Sequence, residues 1–315
     1  MMRLPFNTNT FANTYQPEAF VSGIVFGENQ KHLPYFLSNY IRPVYYKNGA
    51  TALNYYIDNP FLLNHGLIKR DYTIVPKTCL QAVNWSNVAR NALDNNKYVF
   101  GSFNDEFIPQ KSSYNKQYFW HDYILYGYDD CGFISAAYLA DGHYHEFKIA
   151  FDDFNCAVKT LREHQFMHFL EYDNSISLDF MLDLVINAFR DYITSKELNN
   201  DGTTYGLNAF RLFANEVKNT KEEIDLRSIC FLREHKLLMK MRLEYMMNNN
   251  YIQPDSAVIY KYNDVYIQLH KAVLLSIKYN ITKNTNLLSH IYDIITRSLV
   301  QDQKILADIL SNILI

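Results

Sequence analysis

The hydrophobic positions change their period once along the chain. Up to about residue 172 they come in short alternating or continuous apolar runs broken by turn residues; beyond it they recur every three or four residues. YVFGSF (98–103) is β-branched and aromatic and stops at Asn104-Asp105, which predicts a strand. WHDYILYGYDDCGFISAAYL (120–139) predicts strand, Tyr-Asp-Asp-Cys-Gly turn and strand, a hairpin. HEFKIAF (145–151) predicts a third strand. Two helices are expected among these runs. One begins near Gln16-Pro17-Glu18, where proline suits a first helical turn. The other is WSNVARNALDN (85–95), with Val88, Ala89 and Leu93 on one face.

The second half reads as helix throughout. SLDFMLDLVINAFRDYI sets Leu178, Met181, Leu182, Val185, Phe189 and Tyr192 on a 3.6-residue period behind Ser177 as a cap. TTYGLNAFRLFANEV, DLRSICFLREHKLLMKMRLEYM and SAVIYKYNDVYIQLHKAVLLSI follow, and NTNLLSHIYDIITRSLVQDQKILADILSNIL closes the chain as a long amphipathic segment. Neither an exact repeat nor a low-complexity linker separates the halves. The expected class is therefore α+β: an antiparallel sheet in residues 1–172, then an all-helical domain in residues 173–315 packed on it.

Composition narrows the function. The chain has 315 residues, 48 % hydrophobic and 20 % charged, which describes a globular protein with room for a large core. Its net charge of −3 is spread without a basic stripe, which argues against nucleic acid. No apolar run approaches the roughly 20 residues of a membrane span, and MMRLPFNTNTF lacks the apolar core of a signal peptide, so a cytoplasmic protein with no membrane partner is expected. The four cysteines, Cys79, Cys131, Cys156 and Cys230, are scattered and do not outline a disulfide scaffold. There is no G-x-x-x-x-G-K and no G-x-G-x-x-G, so no nucleotide cofactor is expected.

The most informative stretch is WHDYILYGYDD. His121 opens an otherwise apolar strand, a position that can present an imidazole to solvent while the following residues anchor it in the sheet. A general base needs that placement; a histidine satisfied by a backbone group at a strand edge has the same local pattern. The stretch resembles the histidine strand of papain-fold, bacteriocin-processing-like cysteine peptidases. KYVFGSFNDEFIPQKSSYNKQYFWHDYILYGYDD, YGLNAFRLFANEV and the Arg-x-x-x-x-Leu-x-Glu-His-Lys-x-Leu-Met pattern of 227–239 further resemble a bacterial family similar to the butirosin-biosynthesis acyltransferase. That family is encoded with nonribosomal-peptide and related natural-product assembly lines.

The resemblance implies a papain-like N-terminal fold and acyl transfer through a Cys-His-Asp set, acting on an acyl or peptidyl thioester that a carrier protein could hold. It places the nucleophile at the start of the first core helix. Thr14 stands in that slot, flanked by Asn13, Tyr15 and Gln16. An internal threonine has neither the acidity of a thiol nor the free amine that threonine nucleophiles use as a base. An antibiotic-pathway acyltransferase or amidase and an inactive relative that binds the product are therefore both open. Asp141, ending the strand after the hairpin, is the expected partner of His121. Trp120 and Tyr138 are expected to line the cleft. Asn7, Asn9 and Gln16 are candidate oxyanion donors.

The remaining clusters carry less. Cys79 has some helix-start character ahead of Trp85, and Cys156 and Cys230 read as core. His164 and His168 could share a helix face, but two ligands make no zinc site and no metal is expected. His143 and His145 read as surface or pocket rim, and Arg233 to Lys236 as a solvated charge run, in which the resemblance alone would point Glu234 or His235 toward the domain interface.

Overall fold

A computed structural model describes residues 1–28, 30–47, 52–55, 67–162, 165–198, 203–253 and 255–313. The chain forms two compact units. The first comprises Met1–Lys31 and Asp58–Ser177, the second His32–Ile57 and Leu178–Ile315. The sequence placed a single boundary at 172/173; the structure moves it five residues on and gives 32–57 to the helical unit.

The first unit is built on a seven-stranded antiparallel sheet of β1 (Met2–Arg3), β4 (Ile68–Val75), β5 (Tyr98–Asn104), β6 (Trp120–Tyr128), β7 (Gly132–Tyr138), β8 (Tyr144–Ala150) and β9 (Gln165–Tyr172). The order is β4-β9-β5-β6-β7-β8, with β1 paired to β6. Residues 98–103, 120–127 and 132–139 are thus neighbouring antiparallel strands, as their alternation predicts. The β6–β7 turn is closed by Asp129, whose carboxylate accepts from the Cys131 and Gly132 amides. Gly132 is needed because a Cβ there would lie 2.3 Å from the Ile149 carbonyl of β8. The segment holding His168 is β9 rather than a helix, paired along its whole length with β4, and His164 lies outside the described residues.

Helices cover both faces of this sheet. On one face lies α1 (Gln16–Val25), whose Phe20 meets Phe100 of β5 at 5.8 Å between ring centres. On the other lie α3 (Trp85–Asp94) and α4 (Phe151–Lys159). There Phe103, Tyr123, Phe133 and Phe154 are all fully buried, with Phe154 edge-on to Phe103 at 5.0 Å and to Phe133 at 4.7 Å. Removing one such ring costs about 3–5 kcal/mol.

The second unit holds α2 (Leu33–Leu37), β2 (Pro43–Tyr45), β3 (Leu53–Tyr55), α5 (Leu182–Thr194), β10 (Thr204–Tyr205), α6 (Gly206–Asn219), α7 (Leu226–Asn248), α8 (Ser256–Thr282) and α9 (Asn286–Ser311). Among its described residues it is helical apart from a small antiparallel sheet, β10-β2-β3, and one bridge between Ile252 and Ile313. That sheet corrects the all-helical expectation: a two-residue strand at 204–205 has no periodicity to reveal it, and its partners come from 43–55. Gly206 follows it at φ +62°, where a Cβ would lie 2.5 Å from the Tyr192 carbonyl. Nor is Ser177 the cap of α5. The helix starts at Leu182, and the Met181 amide donates to the Ser38 hydroxyl at 2.8 Å, a cap borrowed from a distant segment.

The interior of this unit holds a buried ion pair. Lys236 Nζ lies 2.7 Å from Asp302 Oδ2, and neither side chain is exposed. Tyr192 and Tyr262 donate their hydroxyls to the same carboxylate. One residue away, buried His235 donates Nε2–H to the Ile41 carbonyl at 2.8 Å, and Arg242 binds the Leu37 and Asn39 carbonyls. His235 is thus buried rather than part of a solvated face, and burial holds its ring well below the usual histidine range.

Candidate active site

The site forms where β5 ends and β6 begins. Antiparallel register sets Phe103 opposite His121, so the residues just past β5 reach the first side chains of β6. Asn104 terminates β5: its side-chain oxygen accepts from the Glu106 amide and turns the chain into a short 3-10 helix, Asp105–Phe107. That turn aims Asp105 inward. Its carboxylate Oδ2 lies 2.5 Å from His121 Nδ1, and Oδ1 accepts the Tyr123 hydroxyl. The Asp105 side chain is 2 % exposed, while the imidazole is 41 % exposed. A carboxylate accepts only, so His121 donates Nδ1–H and its second nitrogen carries the lone pair. Phe119, at 4.5 Å between ring centres, flanks the ring.

A buried cation completes the surroundings. Lys111 is 6 % exposed; its ammonium donates to the Tyr138 carbonyl at 2.5 Å and sits 4.8 Å from the centre of the Tyr123 ring. Burial lowers its pKa, opposed by the charge of Asp105. Burial, then the same carboxylate, pushes the Tyr123 hydroxyl far above its ordinary range.

The start of α1 lies nearby through one side chain. The β6–β7 ladder runs from Tyr128↔Phe133 to Ile124↔Ala136. Two residues beyond the end of that ladder, at Asp122 and Tyr138, Gln16 stands between the strands. Its Nε2 donates to the Asp122 carbonyl at 2.5 Å, and its Oε1 accepts the Tyr138 amide at 3.4 Å. The Tyr138 hydroxyl in turn donates to the Asn13 carbonyl at 2.5 Å. Gln16 is therefore a wedge holding the two strands apart, with its amide committed to the backbone on both sides. Asn7 accepts the Asn9 amide at its side-chain oxygen.

Three placements differ from the sequence reading. Asp141 is not the partner of His121: it lies exposed in the β7–β8 turn, accepts the His143 amide and pairs with His145 at 3.2 Å. The carboxylate comes from the strand before the histidine, not the one after it. Second, Thr14 does sit just ahead of α1, behind Tyr15 as N-cap, and is 7 % exposed. However, His121 leaves the sheet from the face opposite the one that α1 covers. Alternation along β6 puts His121 with Phe103 and Tyr123 on the α4 face, and Asp122, bonded to Ser102, on the α1 face. Third, Cys156 is exposed on α4 rather than core. Cys79 is exposed in a 3-10 turn, Cys131 is exposed at the far end of β6, and Cys230 is half-buried with its thiol pushed up by burial.

Asp105, Lys111 and Tyr123 complete the site, and Asp105 was readable only as a turn residue. Pairing 98–103 with 120–127 around the Phe103–His121 register is the signal that brings it in. Among the described residues no three His, Cys, Asp or Glu side chains are placed to hold a metal ion. No described helix is long and apolar enough to cross a membrane. No protein-family model matches the chain, and no curated protein matches it either.

Proposed function

We propose that the first unit is a papain-like domain of bacterial natural-product biosynthesis that transfers an acyl or peptidyl group from a thioester, with His121 as general base. The observation that carries this reading is the buried carboxylate of Asp105 on His121 Nδ1. It fixes the tautomer, stabilises the imidazolium when it forms and leaves a basic nitrogen at the surface. Exposed Phe119 offers an apolar surface for the acyl chain beside it.

The chemistry that fits these positions is direct transfer. The acceptor amine attacks the thioester carbonyl as His121 removes its proton; the C–S bond breaks, and the leaving thiolate takes that proton back from the imidazolium. No acyl-enzyme is required, which suits a site with threonine in the nucleophile slot and on the opposite sheet face. The test is release of free thiol from acyl-N-acetylcysteamine thioesters, with and without an amine acceptor. Release that falls in His121→Gln and Asp105→Asn supports the proposal.

The second reading, a non-catalytic relative that binds the pathway product or intermediate, is favoured by Thr14 itself. It expects those thioesters to protect the protein against heat without thiol release.

A further inference from the structure

The α8 helix carries an apolar stripe on its outer surface. Tyr260 is 76 % exposed, Ile267 43 %, Leu274 53 % and Ile281 77 %, and Ile277 is exposed beside them. The first four recur at intervals of seven, so they form one seam of a heptad, and Ile277 falls on the neighbouring seam. At about 1.5 Å per residue the stripe is about 31 Å long. The opposite side of the same helix is packed: Tyr262, Val265, Leu269, Ala272 and Tyr279 are buried. The stripe is thus a second apolar face, in excess of what the helical unit needs for its own core.

Charge selects the occupant. Asp264, Lys271 and Lys278 flank the stripe along one edge, again at intervals of seven, and all three are exposed. In a parallel pair of such helices the edge repeats its own order. In an antiparallel pair with its two-fold axis at Lys271, Asp264 of each copy falls opposite Lys278 of the other. One register therefore forms two ion pairs along that edge. Lys271 meets its own copy at the axis, the one like-charge contact.

We propose that α8 is a homodimerisation helix, pairing antiparallel with α8 of a second copy through the Tyr260–Ile281 seam. This inference is independent of the acyl-transfer reading. The test is sedimentation of the full chain over a concentration series. Wild type is expected to dimerise. Ile267→Glu/Leu274→Glu is expected to weaken the dimer at least about 100-fold, with an unchanged circular-dichroism spectrum showing that the fold survives. Asp264→Lys and Lys278→Asp are each expected to weaken it about tenfold, and the double exchange to restore it. Lys271→Ala is expected to tighten it. A wild type that stays monomeric overturns the proposal, whether or not it binds anionic vesicles through the same stripe. A dimer indifferent to the glutamates, or single exchanges that the double exchange does not rescue, overturns it equally.

Discussion

Two carboxylates organise the two units, and they make the same kind of bonds. Asp105 accepts from an imidazole and a tyrosine hydroxyl; Asp302 accepts from an ammonium and two tyrosine hydroxyls. Both are sealed from solvent. They differ in what their partners do next. His121 extends from the carboxylate to the surface, whereas Lys236 ends inside the helical core. The first arrangement can pass a proton to something that arrives. The second has nowhere to pass one, and burial lowers the Lys236 pKa while Asp302 holds the charge in place. Proximity of charged groups does not by itself mark a working site; an outlet to solvent does.

The largest effect that tests this contrast is on stability. Lys236→Met leaves the Asp302 carboxylate buried without its cation and is expected to cost about 3–5 kcal/mol in urea unfolding, whereas Asp105→Asn keeps its hydrogen-bonding oxygen and is expected to cost far less. If the two variants unfold alike, the contrast is wrong. On activity the ranking reverses. His121→Gln is expected to lower thiol release about 10²–10⁴-fold with its melting midpoint close to wild type, and Lys236→Met to leave the rate per folded molecule unchanged.

A sharper test concerns thiols. Replacement of Cys79, Cys131, Cys156 and Cys230 together by serine is expected to leave the rate within about twofold, because direct transfer uses no cysteine. Thr14→Cys should be alkylated by iodoacetamide at a rate that His121→Gln does not alter, because the two positions lie on opposite sheet faces. A rate that drops with His121 would put them in one site after all.

The smallest effect is acid sensitivity. Burial, then the charge of Arg70, lowers the His168 pKa to about 4. The unfolded chain takes up that proton near 6.5 and the folded one only near 4, so protons favour unfolding in between. Stability is expected to fall by about 1–2 kcal/mol from pH 6.5 to pH 4, after allowance for the ring's partial exposure. His168→Leu should flatten that part of the profile; an unchanged slope would place the titration elsewhere.

The sequence made the strands of the first unit and the long helices of the second legible because each repeats its own period over many residues. His121 was legible for the same reason: a polar residue opening an apolar strand breaks a pattern. Asp105 was not, since a carboxylate after Asn104 is what any turn looks like, and only register shows that it reaches His121. The β10 strand and the Ser38 cap escaped because their partners lie far along the chain. Thr14 was placed correctly at the start of α1. Its relation to His121 was not, because a one-residue alternation decides which sheet face a side chain leaves from.

Gln16 has a consequence for how the protein is made. Its two partners lie 106 and 122 residues downstream, at Asp122 and Tyr138. At roughly 5–20 residues per second, the ribosome finishes that hairpin about 5–25 s after Gln16 has emerged. Through that interval the apolar face of α1 has no sheet to dock on. The helix thus waits for strands made more than a hundred residues after it, and the wedge can seat only once the strands it separates exist.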